Sequence, residues 1–356
     1  MKDFILRIHS FLLSKLIKTS PPKSIQESSE NVFNKFEAYS DSFFSFHLRP
    51  KKSADYTLTS FGLHSEFLVA MVIQGPIVEK DNFTIESIRI YKKNFEKTII
   101  ILSTWNDQNP QLISEIEKEG VTVVLSPVPE NAGPLNINFQ IISARAGIEK
   151  AKELGISFVY KTRCDQRIYG TNLNHAFIEL LKNYPIQAKY GLKYRLLSPN
   201  FTTLKFRPYG ISDMVMFGQI DDMLIYWDAL LDKREKNIKF DSNVSISDYA
   251  KLRLAETYLC TTFLDKIDYS YNFTLSDSWN VYRDIFIIVD HTILDLFWNK
   301  YETHIEKRFD YYSPHSYQLM KFTDWLALQG NYEINEIANE SILMTIEGHR
   351  ISNIEK

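Results

Sequence analysis

Four continuous apolar runs divide the first half of the chain, at 67–74 (FLVAMVIQ), 98–103 (TIIILS), 121–126 (VTVVLS) and 156–160 (ISFVY). Each has the length of a strand, and none alternates between apolar and polar, which is the signature of a strand covered on both faces. Helical patterns fill the intervals: one capped by Asp81 and running to about Phe95, one from Pro110 to Gly120, and one from Asn138 to Leu154 that Gly155 stops. Strand and helix therefore alternate, and the expected architecture is an α/β fold with a mostly parallel sheet between two layers of helices. Right-handed crossovers bring the strand ends at Gln74, Trp105, Ser126 and Lys161 to one edge. Ligands of open α/β sheets bind at that edge.

Beyond Tyr169 the periodicity loosens. Helices are predicted near Leu173 to Leu181, Asp221 to Leu231 and Ser247 to Leu264, and strands at Lys189 to Leu196 and Ile211 to Phe217. The segments from Asp284 to Phe297 and from Tyr317 to Leu328 are further packed elements of either type. At the other end, residues 1–18 form an amphipathic helix in which Asp3, Arg7, Ser10, Ser14 and Lys18 line one stripe and Phe4, Ile8, Phe11 and Leu12 belong to the broad apolar remainder. Its excess of Lys and Arg suits peripheral contact with an anionic membrane, and a helix packed on its own domain or on another subunit is the competing reading. Pro21-Pro22 ends that helix, and the polar stretch to Arg49 is expected to be a tether. The resulting domain plan is 1–60 for helix and tether, 61–300 for the main domain and 301–356 for a packed C-terminal extension with helical additions.

Charge narrows the possible partners. With 41 basic and 44 acidic residues in 356, the chain has no cationic surplus for nucleic acid, and a small-molecule partner is expected. Two cysteines, Cys164 and Cys260, cannot build a disulfide scaffold, which points to a reducing compartment. No apolar run reaches membrane-spanning length and no secretory signal is evident.

The densest candidate chemistry lies in a charged turn expected after the fourth apolar run, in Lys161, Arg163, Asp165 and Arg167. Cations there suit phosphate oxygens, and a carboxylate suits a divalent ion or a ribose hydroxyl. A surface ion-pair cluster is the plain alternative. Gln74 and Gly75 close the first strand, where glycine would let a base or ribose approach the backbone; Trp105 and Asp107 close the second and could stack and hydrogen-bond a base. Asp213, at the head of MVMFG, and Glu256, on a helix, are candidate catalytic bases. His291 is a weaker ligand candidate, and Cys164 is expected to be a small buried residue.

The segments QGPIVEKDNF, IILSTWND, YKTRCDQRIY, ISDMVMFG and AETYL, in that order, resemble the WavE lipopolysaccharide synthesis family over roughly residues 67–265. The resemblance implies a Rossmann-like GT-A glycosyltransferase of bacterial surface glycans, whether lipopolysaccharide, lipooligosaccharide or capsule. It also implies a nucleotide-sugar donor, an oligosaccharide or glycolipid acceptor, and a cytoplasmic active site, peripheral on the inner membrane if the first helix lies there. Asp165 then takes the last place of a DxD motif that holds a divalent cation, Mn2+ or Mg2+. Arg163 stands where that motif has its first Asp, which puts the metal in question. Transfer of a nucleotide-activated non-sugar, such as an alditol phosphate, and a non-catalytic scaffold of glycan assembly are the alternatives.

Overall fold

The computed structural model describes residues 11–12, 14–15, 17–40, 49–57, 66–237, 244–299, 319–330, 343–345 and 350–351. The chain divides into two compact units, Met1–Arg49 and Pro50–Lys356. In the first, helix α1 covers Pro22–Tyr39 with a proline at its first positions. The expected polar tether is thus helical over most of its length. A proline at the opening of a helix sacrifices no internal hydrogen bond, so Pro22 starts a helix here instead of only ending the preceding one. Most of the amphipathic stripe of residues 1–18 lies outside the described residues.

The second unit is built on a seven-stranded sheet of β1 (Val69–Gln74), β2 (Ile99–Trp105), β3 (Thr122–Ser126), β4 (Phe158–Arg163), β6 (Leu196–Pro199), β7 (Met216–Gln219) and β9 (Phe286–Val289). Their order across the sheet is β3-β2-β1-β4-β7-β6-β9. All run parallel except β7, which is antiparallel to both β4 and β6. Helices α2 (Phe83–Asn94), α3 (Pro110–Lys118), α4 (Ile137–Glu153) and α5 (Leu173–Asn183) separate the early strands. One face of the sheet receives α4, so tightly that a Cβ on Gly147 would come within 2.3 Å of Val72 Cγ1 and 3.0 Å of Ser103 Cβ. The opposite face is filled by rings: Tyr91 on Phe95, Phe95 on Tyr160 at 5.5 Å, and Tyr160 on Phe177 at 5.8 Å, which seats α2 and α5. This is the Rossmann-like, mostly parallel arrangement with helices on both faces.

Several local expectations change. Asp81 does not cap α2; it sits at φ 55° in a single turn before the helix and its carboxylate is 2.9 Å from Lys51 Nζ. The segment 189–196 holds a single turn at Ala188–Tyr190 and becomes extended only at Leu196, because Gly191 bends the chain at φ 65°. Helix α6 (Ile220–Trp227) is shorter than expected. The helix foreseen from Ser247 to Leu264 is two, α7 (Ile246–Lys251) and α8 (Glu256–Lys266), broken where Arg253 and Ala255 take φ of 47° and 43°. Helix α9 (Leu275–Ile285) runs directly into β9, and α10 (Phe322–Ala327) buries Trp325.

Two short strands return to the fourth crossover. β5 (Gln166–Ile168) pairs antiparallel with β10 (Leu296–Trp298), with Trp298 opposite Gln166. That ribbon brings an indole from far along the chain onto the end of β4. A second small sheet joins β8 (Val244–Ser245), β11 (Leu343–Thr345) and β12 (Arg350–Ile351).

Candidate active site

The strand β4 extends to Arg163, three residues beyond the apolar run, so Lys161 and Arg163 belong to the sheet and not to a turn. Because Lys161 pairs with Met216 across β4 and β7, the residues preceding Met216 lie at the same edge as the end of β4. Lys161 is fully buried. Its Nζ donates to the carbonyl oxygen of Asp213 and lies 4.6 Å from the centroid of the Trp227 ring. Burial lowers its pKa to about 8, with Asp213 opposing the shift.

Asp213 is buried, and one carboxylate oxygen, Oδ2, has no hydrogen-bond partner among the described residues. Burial raises its pKa, Lys161 pulls it down, and the nearby Glu256 carboxylate pushes it up again. Glu256 opens α8, where its Oε1 lies 3.3 Å from Thr202 Oγ1 and 3.5 Å from Arg207 Nη2. Arg207, itself buried, also donates at 2.6 Å to the Thr202 carbonyl, tying the turn after β6 to the start of α8. Lys161, Arg163, Asp165, Asp213, Glu256 and Arg207 thus form one electrostatically linked cluster beneath the sheet edge.

Asp165 is engaged on both oxygens. Arg163 donates from Nε to Oδ1 at 2.8 Å and from Nη2 to Oδ2 at 2.9 Å, and Trp298 Nε1 donates to Oδ2 at 3.0 Å. The backbone NH of Asn299 donates to the Asp165 carbonyl at 2.8 Å. A divalent cation needs free carboxylate lone pairs and, usually, further oxygen ligands to share it. Here both oxygens already face the Arg163 guanidinium, and Oδ2 also accepts from Trp298. The residues at Asp165 therefore do not fit the ion that the family resemblance implies.

The other expected residues scatter. Gly75 stays at the edge with φ 107°, and a Cβ there would meet nothing within 4 Å, so the backbone is open to approach. Gln74 is turned inward, its side-chain oxygen accepting from Ser143 of α4. Trp105 is buried against Phe139 at 5.2 Å, so it offers no exposed stacking face; a large ring at the end of a covered strand finds more contact in the core. Asp107 is an exposed turn residue whose Oδ1 accepts from Gln108. Arg167 is directed away from the edge, with Nε on Ser87 Oγ at 2.9 Å, Nη1 on the Lys51 carbonyl at 2.7 Å and Nη2 on the Phe83 carbonyl at 2.9 Å. It pins the segment before β1 to the start of α2, where neutral acceptors consume its donors. His291 approaches Asn200 through its backbone NH and Nδ1, beside the end of β6. Cys164 is buried, its thiol donating to the Gly75 carbonyl at 3.1 Å, and burial holds its pKa far above the usual thiol range. Sequence reasoning missed Arg207 and Trp298. Each is brought in by a pairing distant along the chain, which no local pattern signals.

The family model for WavE lipopolysaccharide synthesis matches residues 69–344, from the first residue of β1 into β11. The chain belongs to the WavE lipopolysaccharide synthesis family. The matched span contains every residue of the buried cluster in this WavE chain. No curated protein matches it by sequence. Among solved structures, the WavE chain is similar at 13% identity to a cytidylyltransferase from Leptospira borgpetersenii serovar Hardjo-bovis, covering 57% of this chain and 93% of that one with a TM-score of 0.31. It is similar, also at 13% identity, to glucosyl-3-phosphoglycerate synthase from Mycobacterium tuberculosis, over 58% and 81% of the two chains with a TM-score of 0.29. Mouse xyloside xylosyltransferase 1 is similar at 11% identity over 64% and 86%, with a TM-score of 0.29. Likenesses this remote assign no role to any side chain.

Proposed function

We propose that this WavE chain is a glycosyltransferase that moves a sugar from a nucleotide-sugar donor to a growing bacterial surface glycan. The observation that carries the reading is the buried cluster of Lys161, Arg163, Asp213 and Glu256 at the carboxyl edge of the sheet, in a chain whose family is one of lipopolysaccharide synthesis. A leaving nucleoside diphosphate develops negative charge, and fixed cations in a water-poor site stabilise that charge more than they would in solvent. Arg163 contacts the diphosphate, and Lys161, one residue pair deeper, supplies field and holds the Asp213 backbone. Gly75 gives the nucleotide room at the neighbouring strand end.

Two carboxylates divide the remaining work. Glu256, less enclosed than Asp213 and held by Arg207 and Thr202, takes the proton from the acceptor hydroxyl. Asp213 accepts a hydroxyl of the donor sugar on the oxygen that has no partner among the described residues. The C–O bond from the anomeric carbon to the diphosphate breaks, a bond to the acceptor oxygen forms, and the acceptor proton ends on Glu256. The enzyme works in the cytoplasm. No described helix is long and apolar enough to cross a membrane, while exposed Phe11, Leu12 and Ile17 beside Lys15 and Lys18 support a peripheral seat on the inner membrane.

The test is a panel of sugar nucleotides incubated with the full chain and scored for release of free nucleoside diphosphate and for glycosylated acceptor. The reading expects one sugar donor to be consumed, with Glu256→Gln lowering the rate by about 10²-fold or more at nearly unchanged donor affinity. Consumption of only an alditol-type donor, or of none, contradicts it.

A further inference from the structure

Resting on the transferase reading above, we infer that Arg163 binds the donor diphosphate without a divalent cation, and that Asp165 positions Arg163 in place of holding a metal. Three donors already converge on the two Asp165 oxygens, from Arg163 Nε and Nη2 and from Trp298 Nε1, at 2.8, 2.9 and 3.0 Å. A cation on this carboxylate would have to sit next to the fixed positive charge of the guanidinium that both its oxygens already face. The ribbon of β5 and β10 opposes such a rearrangement, since the pairing of Trp298 with Gln166 and the bond from Asn299 NH to the Asp165 carbonyl hold the indole in place.

What the pairing leaves available points the other way. A guanidinium has five N–H donors in a rigid plane. Asp165 engages one edge of Arg163, and the donors on Nη1 have no partner among the described residues. The Arg163 side chain is 18% exposed, enough for one edge of the fork to meet a ligand. A guanidinium locked by a carboxylate at one edge presents the other edge without further ordering, which is the geometry a phosphate accepts in bidentate fashion. Lys161 behind it adds positive potential while charged. Positive charge at the place where a DxD motif carries its first Asp thus substitutes for the ion that such a carboxylate would recruit.

Calorimetric titration of UDP, GDP and CDP into the full chain, once in EDTA and once in Mn2+, decides the matter. The inference expects the nucleotide that binds to do so with the same Kd in both buffers. It expects Asp165→Asn to weaken that binding equally in both, and Arg163→Lys, which keeps charge but loses the fork, to weaken it by about tenfold or more. Arg163→Gln combined with Asp165→Asn, which removes the pair without stranding a charge, should lose as much affinity as Arg163→Lys or more. Binding that EDTA abolishes and Mn2+ restores, with Asp165→Asn harmful only in Mn2+, overturns the inference and leaves the transferase reading standing. Failure of all three nucleotides in both buffers overturns both.

Discussion

Lys161 joins full burial to a backbone acceptor and an indole face, and its proton is correspondingly loosely held, with a pKa of about 8. An unfolded lysine keeps its proton to about pH 10.4. Between those values the unfolded chain carries a proton that the folded chain lacks, so this residue makes folding more favourable as pH rises from 8 towards 10, and its contribution is flat below 8. Urea unfolding of the wild type and Lys161→Met should therefore diverge, with the wild type gaining about 2 kcal/mol relative to the variant between about pH 8 and pH 10. Parallel curves would show that the ammonium is not desolvated as the fold implies. The sequence marked the charges of this stretch correctly but placed them in a turn, because two cations and a threonine after ISFVY look like the end of a strand. The ladder continues because β1 pairs with β4 as far as Gln74 opposite Arg163, while the antiparallel β7, far along the chain, covers the other side of the strand up to Lys161. Trp105 and Arg167 misled for a related reason: residue type announces what a side chain can do, while the neighbours that absorb it arrive from tertiary packing.

Among the elements, α4 fixes the sheet from which the site projects. Gly147 is its contact point, and the close approach to Val72 and Ser103 leaves no room for a methyl group. Gly147→Ala should destabilise the protein by about 1–3 kcal/mol despite the better helix propensity of alanine, since overpacking must push α4 off β1. Adding Val72→Ala removes the nearest clash and should recover part of that loss in a double-mutant cycle followed by thermal unfolding; simple additivity would contradict the contact. The early strands and helices were legible because each βα unit carries its own apolar run and its own stop at glycine or proline. The antiparallel direction of β7, whose strand was expected from Ile211 to Phe217 and runs from Met216 to Gln219, was not, nor were the break between α7 and α8 and the return of β10 to β5, since they depend on pairings between distant segments and on positive φ at Arg253 and Ala255, residues with no special preference for it. Helix α1 was missed because polar composition was taken as a sign of a tether, although a Pro at the first position and a Gln26 to Glu30 hydrogen bond of 3.1 Å suit an exposed helix.

In the molecule as a whole, a charge cluster lies at the sheet edge within the span that the family model matches. The edge follows from strand direction, since the parallel strands end there and β7 begins there. The family match spans that framework from β1 onward, and the buried charges lie where such a sheet presents its ligands. The most direct measurement is an experimental structure with the nucleoside diphosphate that calorimetry selects. The account predicts the diphosphate on the free edge of Arg163, with Asp165 still clasped to that guanidinium and the terminal phosphate facing Asp213 and Glu256. A nucleotide seated away from the end of β4, or one whose phosphates reach Asp165 through a metal ion, would contradict it.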